Sequence, residues 1–167
     1  VNVLAHEAPA RDASVCVYHP DWHQGVVGLV ASRLKETYWR PALAFARCED
    51  GTLRGSGRSV PDVHLRDVLD LVSKRHPGII LKFGGHAMAA GLTLVESAYP
   101  SFVDSFDAAV RELSGADRFE PVIETDGSLE ADFATIEVAG LLQEQVWGAG
   151  FPAPVFRDTF TVLHQRL

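Results

Sequence analysis

The chain has 167 residues, of which 47% are hydrophobic and 22% charged, and its formal net charge is −7 at pH 7. This length suits one ordinary domain, or one domain and part of another, with enough apolar side chains for a core. The acidic balance excludes an indiscriminate nucleic-acid binder, so any polyanion contact must be a local patch or rely on charge carried elsewhere. The sequence contains no signal-peptide pattern and no apolar run that approaches a membrane span, so we expect no membrane partner.

The start of the chain and its cysteines indicate its context. Residue 1 is Val rather than Met, which indicates either a fragment of a longer protein or removal of an initial Met by processing. We expect residues 1–14 to be the tail of a connector. Cys16 and Cys48 lack Cys-x-x-Cys spacing and lie in apolar, strand-like runs. We therefore expect buried, reduced thiols rather than a disulfide, as in a cytoplasmic protein.

The first elements are predicted to be strand, helix, strand and hairpin. Residues 14–18 form a short apolar run typical of a buried strand. Residues 25–39 carry apolar side chains at helical spacing, which predicts an amphipathic helix that Asp21 is placed to cap. Residues 41–48 predict a second buried strand. The Asp-Gly turn after it favours a hairpin to a third strand at residues 53–60.

The third predicted strand carries a candidate binding site. Alternation places Arg54, Ser56 and Arg58 on one face, while the glycines between them occupy the other face, where a neighbour must approach closely. Two guanidiniums flanking a hydroxyl suit successive phosphate oxygens, because arginine binds phosphate bidentately. The alternative is a solvated strand face. The low strand propensity of this segment favours substrate contact, and we add the neighbouring Ser59 to the site.

The rest of the first domain is predicted to contain two helices and one more strand, at residues 63–76, 97–113 and 91–95. Together these elements predict an α/β (α+β) domain over residues 15–115, with a mixed sheet flanked by helices. Residues 116–121 then form a polar linker.

Between these elements lies a run of small residues from Gly84 to Gly91. Alanines favour a short helix, and a helix opening at Gly84-Gly85 would direct free N–H groups at an anion, with His86 as a further contact. Lys82 adds a cation at the entrance of this run. The alternatives are a glycine turn needed for close packing, an ordinary surface histidine and a simple exposed lysine.

The last part of the chain is predicted to contain further short elements. They are a strand and turn at 122–127, a helix at 132–147, an extended connector at 148–154 and a strand at 155–163.

Several of these motifs resemble a known family. Residues 84–91 resemble the GGHxxAAG signature of the DHHA1 domain, which accompanies the DHH phosphoesterase superfamily and also occurs in alanyl-tRNA synthetases. The likeness runs from about residue 15 to 95 and is closest to the RecJ family of bacterial 5′→3′ single-stranded-DNA exonucleases, through residues 22–34, 40–41, 55–59 and 82–83. A weaker likeness at 148–156, where Phe151 replaces the usual Asn, implies that residues 116–167 open an incomplete OB domain.

The resemblance implies roles for particular residues. Arg58 matches the family's substrate-phosphate arginine, and His23 and Gln24, at the start of the first helix, are implied to face a cleft as a polar pair. From chemistry alone, the favoured interpretation is a helix-start residue bonded to nearby backbone. The implied ligand is single-stranded DNA, and a single-stranded-DNA-binding protein is implied as a further partner.

The resemblance also implies where the chemistry lies. The superfamily holds Mn²⁺ or Mg²⁺ through motifs that include Asp-His-His, which this sequence lacks. We therefore expect the metal centre on a missing N-terminal DHH domain, no cofactor in this chain, and no nuclease activity from it alone. The alternatives are part of a small-nucleotide phosphoesterase, an RNA-binding appendage of the alanyl-tRNA synthetase type, and an interaction domain with no nucleic-acid role.

Overall fold

The computed structural model describes residues 13–148 and 151–166. Its first part contains five strands and three helices. They are β1 (Val15–His19), α1 (Val27–Tyr38), β2 (Ala42–Arg47), β3 (Thr52–Arg58), α2 (Leu65–Arg75), β4 (Ile80–Gly85), β5 (Ala89–Val95) and α3 (Tyr99–Ser114). The chain divides into two compact units, residues 1–121 and 122–167. In the described ranges, none of the helices combines the length and apolar character needed to cross a membrane.

The sheet is mixed, as predicted. Its strand order is β1-β2-β3-β5-β4. β1 is parallel to β2, and the other neighbouring pairs are antiparallel. Since β4 and β5 are joined by a tight turn, the run of small residues lies at the end of an edge hairpin.

One face of this sheet is covered by α2 and α3. Phe45 of β2 packs edge-on against Phe102 of α3, whose ring stacks on Phe106. These rings are fully buried, together with Leu53 and Leu94 from the strands. We call this the covered face, and its large apolar side chains form the main core of the domain.

The other face carries α1, which packs on β2 and β3. Beneath it lie small or branched side chains, including Ala42, Ala44 and Ala46 of β2. Because alanine has so little volume, the helix lies close to these strands. It does not extend over β5 and β4, where Gly91 and Lys82 are exposed.

The first helix begins later than predicted, and Asp21 does not cap it. Val26 is the N-cap and makes no side-chain cap hydrogen bond. The residues before it form turns in which histidine side chains accept hydrogen bonds from backbone amides. The Asp21 N–H donates to His19 Nδ1 at 3.2 Å, and the Gly25 N–H donates to His23 Nδ1 at 3.0 Å. The two histidines therefore stabilise a loop where the sequence pattern indicated a longer helix.

The predicted helix at Gly84-Gly85 is wrong, because this segment is the β4–β5 turn. The His86 N–H donates to Ala89 O at 2.8 Å, and Gly85 has φ +148°. The carbonyls of Ala87 and Met88 accept hydrogen bonds from backbone N–H groups that follow β3, at 2.8 and 3.0 Å. Long-range pairing thus replaces the local bonds of a helix, and the expected helical anion site does not form.

The second unit has less regular structure than predicted. Its helix, α4 (Ile136–Gln143), is shorter than 132–147 and begins at Thr135, whose hydroxyl accepts from the Val138 N–H at 3.2 Å. Residues 122–127 and 155–163 do not form strands, although two backbone hydrogen bonds join Asp126 and Gly127 to the second segment. The predicted connector at 148–154 lies partly outside the described residues, as does most of the predicted tail at 1–14.

Candidate nucleic-acid interface

The strand register assembles most of the predicted site on one surface. Directly opposed residues of antiparallel strands point to the same face of a sheet. Arg54 lies opposite Thr93, which in turn lies opposite Lys82. Two further rows run parallel to this one: Ser56, Gly91 and Gly84, then Arg58 and Ala89 with His86 beyond them at the turn. We call this surface of β3, β5 and β4 the open face.

The middle of the open face is a flat floor. A Cβ built on Gly84 would meet no atom within 4 Å, and one built on Gly91 would meet only Gly55 O, at 3.7 Å. A shallow depression of about 320 Å³ lies here, between Arg54 and Lys82. A ligand can therefore approach the sheet backbone closely between the flanking cations.

The cations around this floor keep their charge available. Within the described ranges, Arg54, Arg58 and Lys82 have no carboxylate within 4.0 Å. Some cations elsewhere are paired, as Arg75 is with Glu112 at 2.5 Å, but the three on the open face lie together around one floor. The open face is thus a local positive surface on an acidic chain, which is the arrangement that an anionic ligand requires.

Arg58 is held in place from two sides. Its Nη1 donates to Gly57 O at 2.8 Å and to Ser56 Oγ at 3.2 Å. The start of α1 lies beside them, where a Cβ built on Gly28 would stand 3.4 Å from Arg58 Nη2 and 3.5 Å from Ser56 Oγ. Because the guanidinium is already oriented, binding a phosphate there loses less side-chain entropy.

Arg54 is oriented by Gln24, the neighbour of His23 in the polar pair that is implied to face a cleft. Its Nη1 donates to Gln24 Oε1 at 2.5 Å, and this neutral partner leaves the guanidinium charge in place. His23, which was in the set, instead accepts the Gly25 N–H and makes no described contact with the open face. The alternative of a helix-start residue bonded to backbone therefore describes His23 better.

Three other predicted residues have different surroundings. Ser59 is 1% exposed, and its hydroxyl donates to Val63 O at 2.7 Å, so it stabilises the segment after β3 and does not reach the surface. Gly85 shapes the turn, since a Cβ there would lie 2.4 Å from Ala89 O. His86 is exposed at that turn, and Thr93, missed earlier, could have been found from the Leu-Thr-Leu alternation.

The part of the chain that the structure describes offers no metal site. It contains no group of three or more His, Cys, Asp or Glu side chains placed to hold an ion. The open face presents cations and hydroxyls, which repel or only weakly bind a divalent cation. These residues do not fit Mn²⁺ or Mg²⁺, which the family resemblance implies for another domain of the intact enzyme.

Comparisons with known proteins identify the family. Residues 12–112 match the family model of the DHHA1 domain. The single-stranded-DNA-specific exonuclease RecJ of Dickeya dadantii is 49% identical over 154 residues, covering 92% of this chain and 27% of that protein. RecJ of Escherichia coli K12 is 47% identical over 154 residues, with the same coverage.

A solved RecJ structure has a similar fold over most of this chain. RecJ from Thermus thermophilus, in complex with Mg²⁺, superposes with a TM-score of 0.71 at 26% identity, covering 93% of this chain and 23% of that one. The chain spans about a quarter of the length of these relatives. The family match covers more than half of the present sequence, and the chain belongs to the DHHA1 domain family.

Proposed function

We propose that this chain is the DNA-binding part of a RecJ-type single-stranded-DNA exonuclease, and that the open face holds the sugar-phosphate backbone. The observation that carries the proposal is the group of three cations without carboxylate partners around a glycine floor. The relatives named as single-stranded-DNA-specific exonucleases supply the substrate class.

The chemistry of the face suits a polyanion rather than a small neutral ligand. Arg54 and Arg58 are separated by about 13 Å along β3, which is long enough to contact more than one phosphate. Guanidiniums donate paired hydrogen bonds to phosphate oxygens, and Ser56 and Thr93 add hydroxyl donors between and beside them. Since such binding releases counterions, affinity is expected to fall steeply as salt rises.

Cleavage itself is assigned to another domain. We propose that a DHH domain of the parent protein holds the Mn²⁺ or Mg²⁺ and performs 5′→3′ hydrolysis, while this chain positions the strand. RecJ of Thermus thermophilus has been solved with each of these ions. A single-stranded-DNA-binding protein is proposed as a further partner through the same relatives.

Fluorescence anisotropy with a labelled oligothymidylate over a series of salt concentrations tests the proposal. Arg58→Ala is expected to weaken binding about tenfold, because it removes charge-assisted hydrogen bonds. It should also make the salt slope shallower by about 0.7, the value for one phosphate contact on a single strand.

Arg66→Ala is the matched control, since Arg66 is an exposed arginine on α2, on the opposite side of the sheet. It removes the same charge from the chain and should change affinity by about twofold at most. Equal losses from the two variants would show that only net charge matters, and would overturn the assignment of the open face.

A further inference from the structure

The loop between β1 and α1 places an aromatic pair beside the open face. The rings of His19 and Trp22 are stacked, with centroids 5.6 Å apart and an interplanar angle of 23°. The His19 side chain is 49% exposed, and Trp22 is half-buried. The pair therefore presents aromatic surface to solvent.

The register puts this pair in line with a cation of the open face. His19 lies opposite Ala46, and Ala46 lies opposite Arg54. All three side chains belong to the α1 side of the sheet, and two strand spacings separate His19 from Arg54 by about 10 Å. The same loop supplies Gln24, which accepts a hydrogen bond from Arg54. One segment thus positions both the aromatic pair and the guanidinium.

The pair is fixed before any ligand binds. His19 Nδ1 accepts a hydrogen bond from the Asp21 backbone N–H at 3.2 Å. The Trp22 backbone N–H donates to His19 O at 3.3 Å. Trp22 also packs against the apolar cluster beneath α1. Because both rings are already oriented, a flat ligand can stack there without ordering the loop.

The local charge indicates which part of a nucleotide fits. The Asp21 carboxylate is 89% exposed and lies 4.0 Å from His19 Nδ1, so it repels a phosphate at this end of the row. A nucleobase carries no charge and stacks on aromatic rings whatever its sequence. We propose that His19 and Trp22 form a stacking platform for a base of the single strand whose backbone contacts Arg54; this rests on the proposed function.

Two ligands of equal length and charge test the platform: oligothymidylate and an abasic phosphodiester chain. The present chain is expected to bind oligothymidylate about tenfold more tightly, with the same salt slope for both. Trp22→Ala should remove this preference, and Trp22→Phe should retain most of it. Because Trp22 also packs in the cluster, His19→Ala is a second variant, which removes an exposed ring and should reduce the preference.

Tryptophan fluorescence gives an independent measurement on the same complexes. Stacking should quench the emission when oligothymidylate is added, and Trp22→Phe should abolish this quenching. Trp39→Phe is the matched control, since Trp39 packs against the main core, with the Lys35 ammonium 5.7 Å from its ring centroid. Quenching should persist in that variant.

The outcomes separate the two proposals. Equal affinity for the thymidylate and abasic chains, with a steep salt slope for both, would overturn the platform and leave the phosphate-binding face intact. Absence of salt-dependent binding to either chain would overturn the proposed function and the platform together.

Discussion

The two faces of the sheet use glycine for opposite purposes. On the covered face, a Cβ built on Gly55 would lie 2.4 Å from Phe45 Cε1 and 2.8 Å from Leu92 Cδ2. On the open face, a Cβ on Gly84 or Gly91 would meet no side chain. The first glycine makes room for the protein's own core, while the other two leave space in front of the backbone. A glycine in a strand therefore indicates a close approach, but only the structure shows what approaches.

The largest expected effect comes from the core of the covered face. Phe102 is fully buried between Phe45 and Phe106, so Phe102→Ala should lower the free energy of unfolding by about 3–5 kcal/mol, measured by urea denaturation. Leu29→Ala on α1 is the control, because Leu29 is 73% exposed and its loss should cost less than about 0.5 kcal/mol. Similar losses from both variants would contradict the burial of Phe102 in the main core.

The glycines themselves give a smaller and sharper contrast. Gly55→Ala should destabilise the fold by about 1–3 kcal/mol, since the added methyl overpacks the core. Gly91→Ala, on the neighbouring strand, should change stability by about 0.5 kcal/mol at most, because its methyl enters open space. Urea denaturation of the two variants measures both values.

Gly91 should matter for binding although it matters little for stability. Gly91→Val raises the floor between Ser56 and Gly84, and about tenfold weaker binding of oligothymidylate is expected if one charge-assisted contact is lost. The fold of this variant should survive, which thermal denaturation can verify. Unchanged affinity in a folded Gly91→Val protein would argue against a ligand on this floor.

The smallest expected effect concerns Asp50, in the turn that leads into β3. The Thr52 hydroxyl donates to Asp50 Oδ1 at 2.6 Å and lowers the pKa of that carboxyl below its ordinary value of 3.8, with a minor contribution from the Arg54 charge. Because the folded-state pKa is lowered, the ionised carboxyl stabilises the fold at pH values above its ordinary pKa. This stabilisation is lost as the pH falls through the lowered folded-state pKa.

NMR titration of Asp50 measures these contributions separately. Thr52→Val should raise the pKa of Asp50 clearly, and Arg54→Ala should raise it less. A larger rise from Arg54→Ala would show that the positive field of the open face reaches this turn more strongly than the hydrogen bond does.

Much of the sheet could be predicted from local patterns. The Asp-Gly turn indicated the β2–β3 hairpin, and strand alternation placed Arg54, Ser56 and Arg58 on one face. Both signals depend only on neighbouring residues, because a tight turn and a period of two are properties of the local backbone. Ser59 was added only as a neighbour of Arg58, and the structure buries it with its hydroxyl bonded to Val63 O.

The remaining features depend on contacts between distant segments. The alanines at 87–90 favour a helix locally, but Ala87 and Met88 instead pair with the chain after β3. Gln24 meets Arg54 through a loop contact that no local pattern specifies. Alternation could place Thr93 on the correct face of its strand, but only the strand register puts it opposite Arg54. Family resemblance supplied the proposed ligand class, which periodicity alone left open.

The central claim is that the open face, not the covered face with α2 and α3, contacts the DNA backbone. Amide chemical-shift mapping with oligothymidylate tests it most directly. The account predicts the largest shifts at Gly84, Gly91 and Thr93, with α2 and α3 unchanged. Shifts confined to α2, α3 or residues 122–166, with the three open-face amides unmoved, would contradict it.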